Sequence, residues 1–181
     1  MVLAVAIAGC SAQFAFSKGI SNLDKIDSKY GMSLKVPPET AENIDNVINE
    51  LEQFKEANEL ESLELLVDFR IKFLESQKLF LEGWQWGKGS TTAYGFGCKG
   101  YERITESARL RNESAAAGFE AVAILEEFVD EYPKEAQSID LSQKDALFLK
   151  ANYFKEQELA SKDARIIKNL CQKEANQSVT I

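Results

Sequence analysis

Apolar residues in this chain recur at intervals of three and four, and nowhere do they alternate with polar residues over a strand's length. That periodicity places the apolar side chains on one face of a helix, which must be buried against another helix. From Glu39 to Ala57, Ile44, Val47, Ile48, Leu51 and Phe54 share such a face. Glu39 and Glu42 stand in the first turn, where the helix dipole favours acids. From Glu59 to Trp84 the apolar positions cover most of the circumference, which predicts the most buried helix. A third helical region spans Tyr101 to Tyr132, with an expected break near Asn112, and Pro133 ends it. Ser142-Gln143-Lys144-Asp145 resembles a capping box with Asp in place of Glu. It opens a last helix running to about Lys173. There, Leu149, Tyr153, Ala160, Ala164, Ile167 and Cys171 form one stripe. The expected fold is all-α, an antiparallel bundle of about four long helices.

Between the second and third helices, Gly83 to Gly100 holds six of the ten glycines, together with Trp84, Trp86, Tyr94 and Phe96. It is expected as a loop. Its aromatic rings would either plug one end of the bundle or contact a ligand such as a glycan.

Histidine is absent. That removes the side chain best suited to proton transfer at neutral pH, along with Ser-His and Cys-His nucleophile pairs and His-ligated zinc. No catalytic constellation, metal set or cofactor motif replaces it, so a non-enzymatic role is expected. Gly87-Lys88-Gly89-Ser90 follows a helix rather than a strand and lacks the spacing of a phosphate-binding loop. The net charge is −8, and nine acids stand against the single base Lys55 between Glu39 and Glu64. Nucleic acid is therefore an unsuitable partner. The acids from Glu50 to Glu64 lack an EF-hand pattern and are expected to be a solvated helix face. Glu106, Arg109, Arg111 and Glu113 are expected to form surface ion pairs. Asn112 and Asn176 fit the N-glycosylation pattern.

The chain opens with an apolar run ending Ile7-Ala8-Gly9-Cys10. This resembles the lipobox of prokaryotic lipoproteins. The resemblance implies cleavage before Cys10, acylation of that cysteine, attachment to a membrane outside the cytoplasm, and an envelope protein as partner. The run lacks a preceding Lys or Arg and is shorter than an ordinary signal. The other reading of the same residues is an apolar segment packed in the core, with Cys10 a buried thiol. No stretch is long enough to span a bilayer as a helix. On the lipoprotein reading, residues 1–9 are a signal peptide, 10–38 the lipidated cysteine and a tether, 39–175 the helical domain and 176–181 a tail. Cys98 and Cys171 then remain as a pair. They lie at similar distances on either side of the bend near Ser138, so antiparallel helices bring them level. Closing so long a loop would stabilise the fold by roughly 4 kcal/mol. Residues 128–133 and 146–153 also look like part of a tetratricopeptide repeat, which implies a short helical stack. No second copy at that period follows.

Overall fold

The computed structural model describes residues 2–38, 40–87 and 100–178, with side chains described for 11–38, 40–87 and 100–172. Among them are six helices: α1 (Val2–Tyr30), α2 (Ala41–Glu56), α3 (Glu61–Gly87), α4 (Tyr101–Glu131), α5 (Pro133–Ser138) and α6 (Gln143–Ser178). The fold is all-α. α3, α4 and α6 form an up-and-down row, with α4 packed between the other two. α2 returns antiparallel along α3, and α1 lies over α2 and α3. Helices of 27, 31 and 36 residues are far longer than the paired arms of a 34-residue repeat unit.

Local chemistry sets the boundaries. α1 stops at Gly31, whose φ of 63° is the left-handed conformation a helix C-terminus uses and L side chains resist. The Met32 N–H reaches back to the Asp27 carbonyl at 3.0 Å, completing the cap. Thr40 caps α2 by accepting from the Asn43 N–H at 3.3 Å. Pro133 begins α5, where its missing N–H costs nothing. Half of the Ser142 box forms: Asp145 Oδ2 accepts from the Ser142 backbone N–H at 3.0 Å and from its hydroxyl at 2.7 Å, while the Asp145 N–H donates to the Ser142 carbonyl rather than to the hydroxyl.

The core is continuous from α1 to α6. Ile44, Val47 and Leu51 of α2 are fully buried, as are Leu66, Val67 and Leu74 of α3 and Val122, Leu125 and Phe128 of α4. Each such side chain contributes about 1.5–3 kcal/mol over an exposed one. The α4–α6 seam is closed by small residues. A Cβ on Gly118 would fall inside the ring of Tyr153, so glycine is what lets that ring lie flat against α4. Ser76 and Ser114 exchange hydrogen bonds across α3 and α4, each hydroxyl donating to the other's carbonyl, at 2.9 and 2.8 Å.

The structure corrects several expectations. Residues 11–38 are not a tether. α1 runs unbroken to Tyr30, and Phe16 and Leu23 lie in the core. The signal is visible in retrospect, because Phe16, Ile20, Leu23, Asp27 and Tyr30 recur at helical spacing. Asp27 interrupts that stripe with a charge, and its partner lies in another helix. α3 extends through Gly87, so Trp84 and Trp86 belong to its last turn and not to a loop. The break near Asn112 is absent, since α4 is continuous there.

Candidate functional site

Both indoles at the end of α3 face solvent. Trp84 is 61% exposed and Trp86 47%, so neither plugs the bundle. Trp84 keeps contact with Phe80 one turn earlier, ring centroids 6.5 Å apart. Behind them α3 and α4 are fastened together, with the Ser107 hydroxyl donating to the Gly83 carbonyl at 2.8 Å. The two tryptophans are therefore presented from a rigid helix end. Tyr94, Phe96 and Cys98 lie outside the described residues, as does the side chain of Cys10. Cys171, half-buried on α6, is disulfide-bonded.

A second feature is a cleft of about 470 Å³ between α1, the segment after it, α3 and the end of α5. On its wall Arg70 of α3 pairs with Asp27 of α1, and the two side chains are 3% and 9% exposed. The pair ties α1 to the body from inside the protein. A desolvated pair of this kind positions helices more than it stabilises them.

A third is a small apolar cavity of about 160 Å³, lined by Phe69, Phe73, Leu125, Leu141, Phe148 and Leu149 beneath residues 34–35. Lys35 straps this segment over α6, donating to the Asp140 carbonyl at 2.7 Å and to Asp145 at 3.0 Å. Burial pushes the Asp145 carboxyl up, but the Ser142 and Lys35 hydrogen bonds outweigh it and hold the group below its ordinary value.

Arg111 departs from the expected surface cluster. Arg109 pairs with Glu106 and Glu113 on the surface, whereas Arg111 turns inward and joins Glu156 and Asp163 of α6. The Tyr153 hydroxyl is buried beside Ser76 and Gln77 without completing a hydrogen bond, and burial raises its pKa. The acids of α2 behave as expected: Glu52 and Glu56 are exposed, and Glu50 is held by Lys29 and by Tyr30 at 2.7 Å. Asn112 lies in mid-helix, half-buried.

Among the described residues no group of three or more acids, cysteines or histidines is placed to hold a metal ion, and no helix is long and apolar enough to cross a membrane. These features offer surfaces and clefts but bring together no nucleophile with a base. No family model matches the chain, and neither the curated proteins nor the solved structures include a significant match.

Proposed function

We propose that this chain is a non-enzymatic lipoprotein of a prokaryotic envelope, acylated on Cys10, whose helical body is a module for contact with another envelope protein. The observation that carries the reading is the position of Phe16. It is 1% exposed and stacks on Phe128 with ring centroids 6.4 Å apart, yet it stands only six residues beyond the lipobox-like Ile7-Ala8-Gly9-Cys10. At 1.5 Å per helical residue, the acyl groups leave α1 within about 10 Å of the packed core. The body is thus held against the bilayer rather than on a leash. Several acyl chains on one cysteine would hold it firmly.

On this reading the disulfide partner of Cys171 is Cys98. Arg111 is level with Glu156 and Asp163, so the far end of α6 lies beside the start of α4, a few residues after Cys98. Cys10 lies beyond Phe16, at the opposite end of the bundle. An oxidised pair accords with an exported protein.

Mass spectrometry of the membrane-extracted protein tests this. The expected result is a mature chain beginning at acylated Cys10, with a Cys98–Cys171 crosslinked peptide. A chain recovered from the soluble fraction with Cys10 unmodified overturns the reading. Cross-linking in intact cells then identifies the protein contact.

A second reading rests on the exposure of Trp84 and Trp86: a binder of glycans or other small ligands using residues 83–100, including Tyr94 and Phe96. It requires both indoles to be quenched by acrylamide and protected by the ligand. Blue-shifted, unquenchable emission removes it.

A further inference from the structure

α6 is an edge helix that packs mainly on α4. Its inward side carries Ala146, Tyr153, Ala160 and Ile167, all buried. Its flanks carry Leu147, Phe148, Phe154 and Leu159, exposed by 60, 67, 57 and 39%; Phe154 also meets Phe119 of α4 with ring centroids 4.7 Å apart, and Phe148 edges the apolar cavity beside Phe69 and Phe73. Between these flanks, facing outward, are Lys144, Lys155, Lys162, Arg165 and Lys168, all exposed, and one acid, Glu158. None of these five bases has an ion pair among the described residues. Lys150 of α6, aimed at the body, is by contrast matched by Glu126 of α4 at 3.2 Å. In a chain of net charge −8, this one face is both cationic and apolar. The acids Glu42, Glu52 and Glu56 are exposed on α2, at the other side of the row.

We infer that this face of α6 docks on a bilayer surface containing anionic phospholipid. Isolated aromatic and aliphatic side chains enter the headgroup boundary, while lysine stems lie along the apolar surface with their ammonium groups at the phosphates. Each base close to such a surface adds about 1 kcal/mol. The separation of charge across the row turns α6, not α2, toward it. A second copy of the chain is a poor occupant, because an α6–α6 contact would oppose five bases to five bases. Position supports the lipid surface further. Phe14, 74% exposed, leaves the body beside Phe128, which is level with the α6 turn where Lys150 meets Glu126. Leu147 and Phe148 of α6 therefore sit at the same end of the bundle as Phe14 of α1.

The inference rests on the lipoprotein reading only for a bilayer being close by, and the experiment separates the two. The full chain carrying Cys10→Ser, which cannot be acylated there, is floated with vesicles of phosphatidylcholine alone and of an equimolar mixture with phosphatidylglycerol. Binding to the anionic vesicles is expected to be about tenfold stronger or more, and to weaken with added salt. Lys155→Glu with Lys162→Glu should lower it about tenfold or more, as should Leu147→Ser with Phe154→Ser, with unchanged far-ultraviolet dichroism in both. Lys155 and Lys162 are exposed and unpacked, so the lysine variant carries the test even if Phe154→Ser, which gives up the contact with Phe119, changes the dichroism. Equal binding to both vesicle types, or anionic binding untouched by either α6 variant, overturns the inference. So does capture of an acidic protein by this face while vesicles stay unbound. Acylation of Cys10 is read separately by mass, so either claim can fail without the other.

Discussion

Breaking the Asp27–Arg70 pair should loosen the whole of α1. Both side chains are more than nine-tenths buried, they come from different helices, and they line a cleft rather than open solvent. Replacing Arg70 by Met removes the positive charge and keeps most of the volume. Asp27 is then left as an uncompensated carboxylate, which costs about 3–5 kcal/mol. Asp27→Leu strands Arg70 with a similar loss. For a domain of this size each kcal/mol lowers Tm by about 2–4 °C, so each single variant should melt about 6–20 °C below the parent. The double variant places two apolar side chains where two charges were, and its stability should lie within about 2 kcal/mol of the parent, on either side. Thermal and urea unfolding followed by circular dichroism at neutral pH supply the double-mutant cycle, with an expected coupling above about 3 kcal/mol. If the double variant loses the sum of the two single losses, the residues act independently and the pairing is wrong. If neither single variant loses more than about 1 kcal/mol, α1 is not docked on the body at all.

Other consequences follow from the same packing. Phe16→Ala should cost about 3–5 kcal/mol in urea unfolding, while Phe14→Ala two residues away should cost nothing measurable; equal losses would contradict the orientation of α1. Gly118→Leu forces a side chain into the space of the Tyr153 ring. It should cost at least about 1–3 kcal/mol, with part of the loss recovered when Tyr153→Ala is added. Tyr153→Phe removes a buried hydroxyl that has no hydrogen-bond partner. Stability should hold or rise by about 1 kcal/mol, whereas a loss above that would reveal a bond to Ser76 or Gln77. Asp145 is held below its ordinary pKa in the folded chain. Its contribution to stability is complete above about pH 4 and vanishes as the pH falls through the lowered folded value. Lys35→Met should therefore raise the Asp145 pKa measured by carboxyl NMR and flatten the loss of stability in acid.

Much of the architecture is legible in the residue order. Four helices, the Pro133 boundary and the Ser142 cap depend on interactions within a few residues of each other, and local spacing encodes those. The extent of α1 was missed because its stripe is interrupted by Asp27, which reads as a polar segment until Arg70, far along the chain, accounts for it. Trp86 reads as part of a loop, and Trp84 as the helix's last residue, because the glycines around them resemble a loop. In the fold, contacts of α3 with α4, such as Ser107 on the Gly83 carbonyl, carry the helix past Gly83. Arg111 could not be sorted from Arg109 by sequence, since only the placement of α6 decides which of the two meets buried-side acids.

The linear order of residues was sufficient to specify which segments are helices, because backbone hydrogen bonding and side-chain periodicity act over one or two turns. It also specified what chemistry is missing, because a residue type that is absent cannot be supplied by folding. Which helix lies at the edge, which charges are matched across a seam and which stay facing outward are settled by packing between segments distant in the chain. The basic, apolar side of α6 is ordinary as a string of residues. It becomes a surface only once α4 has covered the opposite side and left this one bare.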